Sequence, residues 1–139
     1  MSEWTADDTR EIGNRHALME AKRDLDATMA TMVAEPVYEL YPARRVMRGA
    51  ALARRYYEHL FADFIPRQRG VELIDEWVNE RSLAQEYEIK IEWEGATEVH
   101  RVIGILFVKD GLVAGERLHA SDATFRRMLG SLFDELPLL

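Results

Sequence analysis

Two side chains of this 139-residue chain combine the type and setting that acid–base chemistry needs, His16 and Glu116. His16 shares a stripe with Ile12 and Met19 at helical spacings, so its ring is expected to face an apolar interior. An imidazole with an ordinary pKa of about 6.5 can move a proton near neutrality or donate to a carbonyl oxygen, the plainer alternative being a core histidine satisfied by its neighbours. Glu116 lies in the strand-like run Leu112 to His119, where simple alternation groups it with Leu112, Ala114 and Leu118. If that face points inward, the carboxyl sits in apolar surroundings and desolvation raises its pKa, which makes a general acid/base. An ion pair with a neighbouring arginine is the plainer alternative. If the opposite face lines the pocket, Arg117 and His119 take its place.

His100 precedes these on the adjoining run, sharing a face with Val102, Gly104 and Leu106. His100 and His119 could approach across antiparallel strands, but no third ligand at metal spacing accompanies them, so no metal is expected. Tyr38, Tyr56, Tyr57, Trp77 and Trp93 supply aromatic surface. Most of it belongs to a core; Tyr38, Tyr57 and Trp77 are the candidates to touch a ligand, a tyrosine hydroxyl serving to orient a carbonyl or phenol. Phosphate-binding loops, dinucleotide fingerprints and nucleophile elbows are all missing, so no cofactor is expected.

These residues must be positioned by a regular succession of elements. Thr5 to Lys22 reads as a helix with Thr5, Asp7 and Asp8 suited to its N-terminus, and Asp24-Leu25-Asp26 restarts a helical turn through Met32. Pro36 to Pro42 is short and proline-bounded, which predicts an edge strand, with Arg44 to Arg48 as its partner. Gly49 precedes a helix from Ala50 to Phe64 that repeats Leu52, Tyr56, Leu60 and Phe64 and that Pro66 ends. Val71 to Val78 and Ala84 to Trp93 read as strands, the second alternating cleanly with Tyr87, Ile89, Ile91 and Trp93 on one face. Val99 to Val108 and Leu112 to His119 flank Asp110-Gly111, a strong hairpin signal. Ser121 or Asp122 caps a closing helix, Ala123 to Phe133.

The bulk numbers fit one soluble domain, 1–139, large enough to bury a core unaided. A net charge of −7 argues against nucleic acid or an anionic membrane surface as partner, and no stretch approaches a membrane span. The absence of cysteine removes disulfides and thiol chemistry. Met1 to Arg10 is acidic without an apolar run, so no signal peptide is expected and the cytoplasm is the default location.

The order of elements resembles the nuclear-transport-factor-2-like superfamily, specifically its SnoaL-like, polyketide-cyclase-like group. The residues that carry the resemblance are Asp24-Leu25-Asp26, Val37-Tyr38-Glu39 with Pro42, Gly49 leading to Tyr56-Tyr57, Gly115-Glu116-Arg117, and Ala123-Thr124 with Leu129-Gly130. It implies an α+β fold in which a cone-shaped, mostly antiparallel sheet wraps N-terminal helices and encloses an apolar cavity. Compared with the ketosteroid isomerases of that superfamily, His16 falls where the family has its oxyanion-binding tyrosine. The family's catalytic aspartate falls at Leu40 and its second, protonated aspartate at Gly104, so both acids are missing. Leu40 and Gly104 remain candidates for ligand contact. Where the SnoaL-like proteins place an aspartate before the last helix, this chain has Ser121: if that aspartate is an acid/base its role is lost here, and if it is an N-cap Ser121 replaces it with little loss.

Fold does not choose among isomerisation, cyclisation, dehydration and plain binding. The expectation is a cofactor-free enzyme that uses His16 and Glu116 on a small hydrophobic, cyclic or polyketide-like molecule. The alternatives are a binding module without chemistry and an accessory module whose sheet face docks a partner. Ile103, Ile105 and Phe107 would otherwise face water, which predicts a homodimer through the outer sheet face.

Overall fold

The computed structural model describes residues 3–139. Two helices open the chain, α1 (Ala6–Ala21) and α2 (Leu25–Ala30), each started by a side chain that accepts the backbone N–H three residues on. Thr5 and Asp8 form a reciprocal capping box on α1, and Asp24 accepts from Ala27 N–H on α2. Strands β1 (Met32–Tyr41) and β2 (Arg45–Arg48) come next, followed by α3 (Ala50–His59). The closing half holds β3 (Gln68–Val78), β4 (Ser82–Trp93), β5 (Ala96–Lys109), β6 (Leu112–His119), α4 (Asp122–Leu129) and α5 (Leu132–Glu135).

The six strands form one sheet in the order β2-β1-β6-β5-β4-β3, antiparallel throughout except between β1 and β6. The helices pack on one face, giving the α+β cone with Tyr38, Tyr57, Phe64, Ile91, Leu118 and Phe125 almost wholly buried between the layers. Each such aromatic or leucine side chain contributes about 1.5–3 kcal/mol of burial. Asp110 and Gly111, at φ 53° and 77°, make the tight turn that joins β5 to β6.

Four expectations are corrected. β1 is internal, not an edge strand: it runs between β2 and β6 and starts four residues before Pro36. Pro36 is tolerated because pairing with β6 breaks between Met32 and Val37, so no ladder bond needs its missing N–H, while its carbonyl accepts from Gly49 N–H at 2.8 Å. The helix after Gly49 does not run uniformly to Phe64. It relaxes into a π-helical turn over Leu60–Phe64 and a 3₁₀ turn over Ile65–Arg67 that accommodates Pro66. The closing helix is two short ones, because the chain turns at Gly130 against the His59 ring, which would lie 2.6 Å from a Cβ there.

The fourth correction concerns β6. Val113 pairs with Val108 while Gly115 pairs with Phe107, so Ala114 is an extra residue and the alternation flips across it. Val113 is therefore buried with Glu116 and Leu118 on the inner side, and Leu112 is exposed. Gly115 allows the bulge: its φ is +149°, and a Cβ there would collide with the Val37 carbonyl of β1.

Candidate functional site

Helix α1 crosses the concave face with Gly13 against Leu83 of β4 and the exposed Ala17 and Ala21 at the rim of the opening. These small residues leave a cavity of about 530 Å³ between α1, the end of α3 and strands β3 to β6. Its far walls are Leu60 and Phe64 from the π-helical turn, Ile89 from β4, and Leu106 from β5. At its mouth Val71 and Leu73 of β3 are still 59% and 52% exposed. The polar side chains that reach it are His16, Glu20, Tyr56, Gln68, Gln85, Tyr87 and Glu116.

His16 is 2% exposed and fully engaged. The Thr31 hydroxyl donates to the Thr28 carbonyl at 2.6 Å, so it can only accept from His16 Nδ1, also at 2.6 Å. That fixes a proton on Nδ1. Nε2 faces Glu20 Oε1 at 2.6 Å and Tyr57 Oη at 3.0 Å. Burial opposes the imidazolium, but the charge and hydrogen bond of Glu20, helped by Glu116, outweigh it and raise the His16 pKa above its ordinary 6.5. His16 and Glu20 therefore pair one helical turn apart, the histidine buried and the glutamate partly exposed.

Behind it, Tyr38 donates to Tyr57 Oη at 2.6 Å and Tyr57 donates to Glu20 at 3.3 Å, with Met32 Sδ 3.2 Å from the Tyr38 oxygen. Burial, reinforced by the nearby carboxylates, holds both phenols well above the ordinary tyrosine range, so they remain neutral donors.

Glu116 stands apart. Its Oε1 lies 3.9 Å from His16 Nε2, beyond hydrogen-bond reach, and its side chain is 15% exposed, to the cavity. Burial and the charge of Glu20 raise its pKa from 4.5 to about 7, against the opposing pull of His16. Gly104 of β5 gives it room, since a Cβ there would sit 3.3 Å from Glu116 Oε2 and 3.8 Å from Tyr87 Oη. Among the described residues neither Glu116 nor the Tyr87 hydroxyl has a hydrogen-bond partner, and burial raises the Tyr87 pKa, keeping it protonated. The space over Gly104 is thus flanked by a carboxyl that titrates near neutrality and a neutral phenol.

Of the residues singled out in the sequence, His16, Glu116 and Gly104 lie together on the cavity. Tyr57 and Tyr38 stand behind His16, in its hydrogen-bond network but off the cavity wall. The other four are placed elsewhere. Leu40 is fully buried core, paired in register with Leu118. Trp77 is 52% exposed and, opposite Ala84 and Ile105, lies on the outer face. His100 does share the inner face with Gly104, but at the far end of β5. There Nδ1 meets Thr124 Oγ1 at 2.6 Å and Nε2 meets Glu98 Oε1 at 3.0 Å, tying the sheet to α4. His119 pairs with Ile103 on the outer face and stacks on Tyr41 at 5.4 Å, so the two histidines lie on opposite faces. Arg117 is likewise outside, its guanidinium 4.6 Å over the Phe107 ring. Among the described residues no three metal-ligating side chains converge.

Sequence reasoning missed Glu20 and Tyr87. The signal for Glu20 was its i,i+4 spacing from His16, which puts both on one helix face. Tyr87 shares its face of β4 with Ile89 and Ile91, and nothing in the alternation sets it apart from them.

No family model matches the chain, and no curated protein matches it in sequence. Solved structures do match. A candidate SnoaL-like polyketide cyclase from Jannaschia sp. CCS1 superposes with a TM-score of 0.71 at 15% identity, covering 94% of this chain and 96% of its own. The chain has the nuclear-transport-factor-2-like fold. A candidate ketosteroid isomerase from Kribbella flavida DSM 17836 gives 0.66 at 16% identity, over 84% of this chain and 80% of that one. SalBIII, an epoxide hydrolase/cyclase-like enzyme of pyran ring formation in the polyether salinomycin, gives 0.68 at 13% identity, over 83% and 92%. At these identities the likeness is one of fold, and chemistry has to be argued from the side chains.

Proposed function

We propose that the cavity carries out cofactor-free acid–base chemistry on a small hydrophobic carbonyl compound, of the kind that isomerases, cyclases and dehydratases handle. The observation that carries this reading is the pair of unpartnered groups over Gly104, Glu116 and the Tyr87 hydroxyl. A ligand carbonyl accepting from Tyr87 would place its α-carbon within range of Glu116. As a carboxylate, Glu116 takes the α-proton; the electrons move onto the carbonyl oxygen, which the phenol stabilises as an enolate. The protonated Glu116 then returns the proton at the same or a conjugated carbon. A pKa of about 7 keeps both forms of the carboxyl populated at neutral pH. His16 and Glu20 serve as the fixed charge pair beside it, His16 moderating the rise that Glu20 imposes.

Deuterium exchange at the α-positions of cyclic ketones, followed by NMR, tests the reading. The protein should accelerate exchange, and Glu116→Gln should lose at least a hundredfold of that acceleration. Equal exchange with both proteins would sink the enzyme reading and leave a binding module. That second reading is favoured by one observation: His16, Tyr57 and Tyr38 spend their hydrogen bonds on one another and on Glu20, and a binder needs only one orienting group.

The working form we infer is a cytoplasmic homodimer joined through the outer sheet face. Support for the dimer comes from the row Trp77, Ala84, Ile105 and Arg117 across β3 to β6, flanked by Ile103 and Phe107. Sedimentation of the intact chain and of Ile105→Arg should give a dimer and a monomer, respectively; a monomer for both overturns it.

A further inference from the structure

The charges of the cavity wall do not balance. Three ionisable acids and bases of the wall meet there, His16, Glu20 and Glu116, and among the described residues no lysine or arginine lines it. The imidazolium of His16 is spent on Glu20 at 2.6 Å, on Thr31 and on Tyr57. Ionised Glu116 is therefore the odd charge, with no cation within hydrogen-bond reach among the described residues. Around the same space stand the aromatic side chains of Tyr56, Phe64 and Tyr87, and aromatic rings favour a neighbouring cation.

We propose that the cavity binds small apolar amines as their ammonium ions, with Glu116 accepting the N–H, and that it excludes carboxylates of the same shape. The proposal rests on the part of the foregoing reading that leaves Glu116 free in the cavity, not on catalysis. An ammonium group supplies the missing donor and the missing positive charge together. A carboxylate would instead stand beside two of its own kind with no free cation to receive it.

The groups that face Glu116 set the pH dependence. Among the described residues they are His16 and Glu20 from α1, Tyr38 from β1, Tyr56 and Tyr57 from α3, and Tyr87 from β4, while β5 offers Gly104 and Leu106. The tyrosines stay neutral because burial raises each pKa. Below about pH 7 Glu116 holds its proton, and an ammonium ion must displace it to bind. Raising the pH from 6 to 8 should then tighten amine binding about tenfold, since the ionised fraction of a group titrating near 7 rises by about that factor. Any loss of the His16 proton over the same range acts in the same direction.

Calorimetric titration of the intact chain with adamantane-1-amine, 1-adamantanol and adamantane-1-carboxylate, at pH 6 and pH 8, tests this. The amine should bind about tenfold more tightly at pH 8 than at pH 6, the alcohol equally at both, and the carboxylate at least tenfold more weakly than the alcohol at pH 8. Glu116→Gln should abolish the pH dependence for the amine and keep the alcohol, whose retained binding reports an intact cavity. An amine no better than the alcohol at pH 8, a carboxylate as good as the alcohol, or an unchanged amine profile in Glu116→Gln overturns the proposal. Failure here with ketone exchange intact removes only the amine site. Amine binding without ketone exchange removes only the catalytic reading.

Discussion

Replacing Glu116 by Gln should make the protein more stable at alkaline pH and change it little in acid. In the unfolded chain this carboxyl releases its proton at the ordinary value of 4.5; in the folded chain it keeps the proton up to about pH 7. Between those values the folded state binds more protons than the unfolded one, so stability falls as the pH rises through the window and is level above it. The gap of 4.5 to about 7, at about 1.4 kcal/mol for each pH unit, amounts to about 3 kcal/mol. Glutamine has the shape of the protonated acid and no charge, so it escapes this loss. His16 contributes a fall of the same sign: its raised pKa gives stability that is fully present below 6.5 and lost as the pH rises through the folded value. The variant keeps most of that fall, because Glu20 rather than Glu116 is its main electrostatic source. Urea unfolding of both proteins at pH 4 and pH 8 isolates the difference. The stability of the variant relative to the parent should climb by about 3 kcal/mol across that range. A difference that stays constant with pH, or a variant weaker than the parent at pH 8, would refute the placement of an unpaired carboxyl in an apolar wall.

Three further substitutions probe the frame around that carboxyl. Gly115→Ala meets both a φ of +149° and the Val37 carbonyl, and should cost more than about 3 kcal/mol in urea unfolding or prevent folding. Thr31→Val leaves the His16 Nδ1 proton buried without an acceptor, so about 1–3 kcal/mol should be lost, and the histidine pKa followed by NMR should fall. Ser121→Ala removes the acceptor for Thr124 N–H at the start of α4 and should lower stability by about 1 kcal/mol, with Ser121→Asp restoring it.

The helices and the late strands were legible because their signals are local. Thr5 and Asp24 announce helix starts by side-chain chemistry alone, and the alternation around Tyr87, Ile89 and Ile91 survives because β4 is paired on both sides. What failed depended on partners distant in sequence. Pro36 looks incompatible with an internal strand until the local break in β1–β6 pairing is known. His100 and His119 seemed able to meet because alternation fixes a face only relative to the same strand. The bulge at Ala114 and the register of β6 against β5 decide which face is which. Alternation left the facing of Glu116 open, and the bulge decides it by regrouping the residue with Val113 instead of Leu112. Glu20 was passed over because a glutamate on an amphipathic helix ordinarily reads as solvated surface. Only the tertiary fold brings it beside Tyr57 of α3 and turns it inward.

Glu116 is also the group on which the proposed ligand site turns. Among the described residues no deeply buried side-chain nitrogen or oxygen lacks a hydrogen-bond partner. The His16 network closes on itself through Thr31, Glu20, Tyr57, Tyr38 and Met32. Closed networks rigidify a core, and this one anchors α1 against α3 and β1. Glu116 and the Tyr87 hydroxyl stand outside that network and look, over Gly104, into a cavity with a mostly apolar wall. A stable core would have a leucine and a phenylalanine in their positions, removing the pH-dependent loss of about 3 kcal/mol derived above. A costly unpaired acid next to a free phenol, with a glycine that holds the space between them open, is therefore the arrangement on which the proposed ligand site rests.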